Sequence, residues 1–168
     1  MDSNKKVEFE KAYDDNSEAI FRYVYFRISD RERSKEIMQD VFAKTWNYIM
    51  KGNEVKQIKP FLYKTAHNLA VNEIERRKNT VSLEEMNEND GFELEYEPSV
   101  STEESIDARE FFSKINNLDK DSMGIILMRY VEGMSPSEIA EAVGMSSGAI
   151  RVRLHRAIKE LKKIYNTN

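Results

Sequence analysis

The chain contains no cysteine, which excludes disulfides, thiolate zinc sites and cysteine nucleophiles and makes a reducing cytosol its simplest setting. No stretch approaches the roughly 18 consecutive apolar residues of a membrane-spanning helix. The charged segment from Met1 to Lys11 also lacks the apolar centre of a signal peptide. A soluble, cytoplasmic protein is expected. Also missing are a phosphate-binding glycine loop, a nucleophile elbow and paired histidine ligands. His67 and His155 are far apart and have few acidic neighbours at ligand spacing, so both read as polar surface residues. No catalytic residue, metal or cofactor is therefore expected, and the chain does not read as an enzyme. Proline occurs three times and glycine six times in 168 residues, which leaves long stretches uninterrupted by helix breakers.

The remaining composition, 40% hydrophobic and 33% charged, suffices for one ordinary domain or two small ones. The formal net charge of -4 argues against nucleic acid only until its distribution is followed. Residues 1–80 carry 16 basic and 13 acidic side chains, residues 81–110 carry 1 and 11, and residues 111–168 carry 9 and 6. Two mildly basic blocks thus flank an acidic strip. The last block concentrates its charge: Arg151, Arg153, Arg156, Lys159, Lys162 and Lys163 lie close together, with Glu160 as the single acid from Met145 onward.

Apolar residues recur at helical spacing, first as Phe9, Tyr13, Ile20, Tyr23 and Val24, then as Ile37, Val41 and Tyr48. The fold class read from this pattern is all-α. In a third helix opened by Pro60, the pairs Phe61/Leu62, Thr65/Ala66 and Leu69/Ala70 with Ile74 form the apolar stripe, and Tyr63, His67, Asn68, Asn72 and Arg76 occupy the other side. The polar segment 51–59 before it holds Gly52 and Asn53 and reads as a loop bearing Lys51, Lys56 and Lys59. From Asn79 to about Glu104 the periodicity fails and acids dominate around Pro98, as in a linker that buries little. The expected organisation is two small helical domains, 1–79 and 105–168, joined by a flexible acidic linker, 80–104. Helices are expected near Ser105 to Ile115 and from about Asp119 to Val131 in the second domain.

The segment from Met134 to Lys163 has the local chemistry of a helix-turn-helix. Ser135 is placed to cap a short helix, with Pro136 in its tolerant first turn and Glu138 completing a capping box. Gly144 supplies the positive φ that ends it, Ser146 caps the next helix, and Ala140 is small where two crossing helices must approach. On the second helix Ile150, Leu154, Ala157, Ile158 and Leu161 share one stripe. Val152, His155, Arg156, Lys159 and Lys163 face away, flanked by Arg151 and Arg153. A recognition helix needs this arrangement, and an ordinary helical hairpin with a solvated cationic face is the plain alternative.

Asn117-Leu-Asp, Arg129-Tyr-Val-Glu-Gly-Met-Ser, Glu138-Ile-Ala, Gly144-Met-Ser and Arg151-Val-Arg-Leu-His-Arg-Ala together resemble the C-terminal, -35-reading domain of extracytoplasmic-function (ECF) sigma factors, a subfamily of the sigma-70 type. The output domains of two-component and quorum regulators share that fold. The N-terminal half decides between them: Asp40-Val-Phe-Ala-Lys-Thr-Trp, Phe61-Leu-Tyr-Lys-Thr-Ala-His-Asn-Leu-Ala-Val-Asn and Glu75-Arg-Arg-Lys resemble the second conserved region of the same sigma family, in the same order. The resemblance spans roughly residues 7–78 and 111–163.

The resemblance implies a factor that brings core RNA polymerase to promoter DNA and starts its melting. It assigns polymerase docking to Asp40, Phe42, Lys44 and Trp46, although a large aromatic such as Trp46 on an amphipathic helix is more often packed into the core. It assigns -10 recognition to Asn53, Lys56, Lys59, Tyr63, His67, Asn68, Asn72, Arg76 and Arg77, where a base leaves the duplex at an unstacking cost of a few kcal/mol. It assigns -35 recognition to Ser147, Arg151, Val152, His155, Arg156 and Lys159. It also implies an anti-sigma factor as a partner. The linker has two readings, a nucleic-acid mimic within the polymerase or a plain solubilising tether. The rival for the whole chain is a helix-turn-helix transcriptional regulator that is not a polymerase subunit.

Overall fold

The computed structural model describes residues 3–81 and 102–167, with side chains for 3–80 and 108–167. No strand occurs among the described residues, and the fold is all-α as expected. The acidic stretch 82–101, and with it both readings of the linker, lies outside the described residues.

Three helices form the N-terminal unit: α1, Ser3–Ile28; α2, Arg31–Met50; and α3, Ile58–Val81. The α1–α2 turn is tight, with Ser29 at φ 55 and Asp30 accepting the Arg33 N–H at 3.0 Å as the cap of α2. Ile20, Val24, Ile37, Val41, Leu62, Ala66 and Ala70 are buried where the three helices meet, and each large aliphatic there contributes about 1.5–3 kcal/mol by leaving water. Helix α3 starts at Ile58, two residues before Pro60, because the first turn has no internal N–H bond for a proline to break. It ends at Val81, two residues inside the expected linker.

The stripe on α3 is broader than the expected one. Tyr63 is 1% exposed and Glu73 2% exposed, so the buried line runs 62, 63, 66, 70 and 73. Tyr48, which shares the helical spacing of Ile37 and Val41, is 41% exposed.

The C-terminal unit comprises α4, Thr102–Ile115; α5, Lys120–Ile126, continued as a π-helical turn over Leu127–Val131; α6, Pro136–Val143; and α7, Ser147–Asn166. Helix α4 begins three residues earlier than the expected domain start. In the wide turn the Glu132 N–H donates to the Leu127 carbonyl at 3.1 Å, five residues back. The helix-turn-helix is built as its local chemistry requires. Ser135 Oγ accepts the Glu138 N–H and the Glu138 carboxylate accepts the Ser135 N–H, both at 3.1 Å. Gly144 sits at φ +72, and Ser146 Oγ accepts the Ala149 N–H at 3.1 Å. Replacing Ser135 by alanine is expected to lower stability by about 1 kcal/mol. Urea unfolding followed by circular dichroism measures this, and an unchanged midpoint would contradict the role of the cap.

The two units pack on each other, α3 against α6 and α1 against α5.

Candidate nucleic-acid interface

Helix α7 buries Ile150, Leu154 and Ala157 against the rest of its unit, with Ile158 and Leu161 half-buried beside them. That orientation leaves Arg151, His155, Arg156 and Lys159 exposed, Val152 49% exposed and Ser147 half-buried at the start of the helix. Arg153 lies on the flank and approaches Asp121 at 3.7 Å. The exposed face therefore offers cationic donors around one apolar side chain, Val152. Arginine suits guanine edges and phosphates, and an apolar group suits a thymine methyl.

In the α2–α3 loop, Asn53 and Lys56 are exposed, and the Asn53 amide donates to the Tyr48 carbonyl at 3.0 Å. Beside it the exposed Tyr48 ring lies 4.9 Å from that of the half-buried Phe61, two residues whose spacing places them on the apolar patterns of α2 and α3. Such a surface stacks an unpaired base for about 1–3 kcal/mol. Asn68 and Asn72 are exposed on α3 and line a groove whose opposite wall is Glu141 to Gly144 of α6.

Other candidates on α3 are committed elsewhere. Tyr63 packs edge-on against Tyr23 at 5.4 Å and presents no surface in this arrangement, because position 63 falls on the buried line three residues before Ala66. His67 is half-buried rather than a free surface group, with its Nδ1 2.9 Å from the Tyr23 hydroxyl. Burial, aided by the nearby Arg27 charge, holds the imidazole below its ordinary pKa and favours the neutral ring. Lys59 donates to the Glu132 carbonyl at 3.3 Å.

Arg76 and Arg77 both bond Glu73, through Arg76 Nη2 at 2.7 Å and Arg77 Nε at 3.1 Å, while Arg33 Nε forms an ion pair with it at 3.2 Å. Hydrogen bonds from these guanidiniums, led by Arg76, hold the Glu73 carboxyl at about 2 despite its burial. Arg77 also donates to the Ile28 carbonyl at 2.8 Å and to Asp30 at 3.2 Å, which ties α3 to the α1–α2 turn. Arg76 remains largely exposed at its tip. Sequence reasoning missed Glu73, although its spacing to Arg76 and Arg77 is that of helical ion pairs and was legible.

On α2, Asp40 and Lys44 are exposed and Trp46 is half-buried against Phe9, with ring centroids 4.9 Å apart. Phe42 is 3% exposed, enclosed by Phe9 at 6.2 Å and Tyr13 at 4.8 Å. Of the four docking candidates, Asp40, Lys44 and the open side of Trp46 form surface, and Phe42 supports them from beneath.

Residues 12–80 match the Sigma-70 region 2 family and residues 109–161 match the Sigma-70 region 4 family. The chain is 27% identical over 156 residues to the RNA polymerase sigma factor YlaC of Bacillus subtilis, covering 92% of this chain and 90% of that protein. It is 23% identical over 159 residues to the ECF RNA polymerase sigma factor BldN of Streptomyces coelicolor, covering 93% of this chain and 60% of that protein. Among solved structures, the sigma factor RpoE of Bartonella quintana in complex with the anti-sigma factor NepR shares the fold, with a TM-score of 0.74 at 20% identity over 96% of this chain and 98% of that one. No helix among the described residues is long and apolar enough to cross a membrane. With a region 2 unit and a region 4 unit in order along one chain, the protein belongs to the ECF subfamily of sigma-70-type RNA polymerase sigma factors.

Proposed function

We propose that this sigma factor acts in the cytoplasm as a non-catalytic subunit that brings core RNA polymerase to its promoters, with α7 reading the -35 element and the α2–α3 loop with α3 engaging the -10 element. The observation that carries this reading is the exposed face of α7, where Arg151, Arg156 and Lys159 project from a helix whose entry is fixed by the Gly144 turn and the Ser146 cap. The loop adds Asn53 and Lys56 beside the Tyr48–Phe61 pair, a combination suited to holding an extruded base and its phosphates. Asp40, Lys44 and Trp46 supply the docking edge toward polymerase. The RpoE relative was solved with the anti-sigma factor NepR, and an anti-sigma partner is the corresponding restraint here.

Gel-shift and transcription assays with and without core polymerase test this reading. Tight, sequence-specific binding by the free protein, unchanged when core is added, would overturn it in favour of an ordinary regulator. Within the holoenzyme, Asn53→Ala and Lys56→Ala are expected to reduce permanganate reactivity at -10 while leaving -35 protection in place. Full reactivity in both variants would remove the loop from promoter opening.

A further inference from the structure

The C-terminal unit carries an apolar groove at its surface, between α4, the π-helical turn and α7. It has a volume of about 420 Å³ and is lined by Phe111, Tyr130, Ile158, Leu161 and Tyr165, enough to enclose a ligand-sized apolar group. Tyr130 is 57% exposed and Tyr165 39% exposed, while Phe111, Ile158 and Leu161 are half-buried. An occupant would withdraw further apolar surface from water, which favours binding. The rim is cationic: Lys162 lines it, and Lys114 holds its ammonium 5.7 Å from the centre of the Tyr165 ring. None of these residues is assigned to promoter reading.

The occupant is argued from the chain itself. Ahead of α4 the sequence runs Gly91-Phe-Glu-Leu-Glu-Tyr-Glu-Pro98, apolar and acidic residues in strict alternation. A solubilising tether has no need of that pattern. Extended chain points successive side chains to opposite sides, so Phe92, Leu94 and Tyr96 share one side and Glu93, Glu95 and Glu97 the other. At about 3.3 Å per residue, Phe92 and Tyr96 stand about 13 Å apart. Ile158 and Tyr165, at 1.5 Å per residue along α7, stand about 10 Å apart, so the apolar side of the segment matches the groove in length. The carboxylates on its other side complement Lys114 and Lys162. Tyr96 precedes the start of α4 at Thr102 by a reach of up to about 20 Å, and Phe111 lies about 14 Å along that helix. The segment can therefore double back along α4 to the groove. So short a tether supplies a local concentration on the order of millimolar, which a second copy of the chain would have to match from solution.

We propose that the Phe92–Tyr96 segment docks in extended form in the apolar groove of its own C-terminal unit, with its acidic side turned to Lys114 and Lys162. The proposal does not depend on which DNA element α7 reads. In the full-length protein, Tyr96→p-benzoylphenylalanine is expected on irradiation to cross-link mainly to Tyr130, Ile158, Leu161 and Tyr165, and within one chain when light and heavy-isotope chains are mixed. The same probe at Glu95, one residue out of register, is expected to lose most of that yield. Lys114→Glu with Lys162→Glu is expected to lose it as well, and adding Glu93→Lys with Glu95→Lys to recover it. As a second measurement, Phe92→Ser with Leu94→Ser changes no residue of the described helices. It is expected to leave circular dichroism unchanged while speeding amide hydrogen exchange in α7 from Ile158 onward. Cross-links between chains would make a second copy the occupant. Absence of groove cross-links, a yield unmoved by both the register shift and the charge reversal, or unchanged exchange would leave the groove to a separate protein. Each of these results would overturn the proposal.

Discussion

Replacing Glu73 by alanine is expected to lower the stability of the N-terminal unit by about 3 kcal/mol at neutral pH, the low end of the cost of stripping one partner from a buried ion pair. The low end applies because the cations left behind, Arg33, Arg76 and Arg77, all keep some access to water, whereas Glu73 itself is buried. Glu73→Gln keeps the volume and removes the charge, so comparison with the native chain isolates the ionic contribution. The folded-state carboxyl lies at about 2, below its ordinary value of 4.5, so its stabilisation is fully present above about pH 4.5 and is lost as pH falls toward 2. The gap in urea midpoint between native and Glu73→Gln chains should therefore be widest at neutral pH and close between pH 4.5 and 2. A gap that stayed constant over that window would show that shape rather than charge is what Glu73 supplies.

On the functional side, Arg151→Ala is expected to weaken promoter binding by the holoenzyme by about 1–3 kcal/mol and to relax its preference at one -35 position, because Arg151 lies in the N-terminal part of α7 where base edges are reached. Arg156, a turn further on, is placed for a phosphate. Arg156→Ala should weaken all promoters alike and reduce the salt dependence of binding by about one unit of slope. Competition among promoter variants at two salt concentrations distinguishes the two behaviours. If both variants retained native affinity and native base preference, α7 would not be the reading helix.

The helix-turn-helix was legible because its determinants act within a few residues of one another. Ser135, Glu138, Gly144 and Ser146 each bond or bend the backbone next to them, and no distant partner is needed to define their roles. The N-terminal helices were legible as helices but less so in phase. On α3 the apolar pairs 61/62, 65/66 and 69/70 suggested a stripe that continues to Ile74; Leu62, Ala66 and Ala70 are buried and Leu69 and Ile74 pack beside them, but the buried line also takes in Tyr63 and Glu73. A tyrosine and a glutamate do not look like core, yet Tyr63 is enclosed by Tyr23, and Glu73 is neutralised by arginines on α2 and α3. Tyr48 departs in the opposite sense, since its ring stays exposed beside the half-buried Phe61. The ion pairs Arg22–Glu132 and Arg27–Asp121 join positions roughly a hundred residues apart, and nothing in the local pattern distinguishes those charges from ordinary solvated ones.

The π-helical turn after α5 has a consequence for the length of the chain. A π turn takes up one residue more than an α turn, and a residue advances an α-helix by about 100°. If Leu127–Val131 wound as regular α-helix, Glu132 would swing by that angle and Arg22 would face a different side chain. Deleting one residue from the same turn, for instance the exposed Tyr130, absorbs the surplus and leaves Glu132 aimed as it is. This turn carries a spare residue, and a single deletion that would shift the register of a regular α-helix would only straighten it.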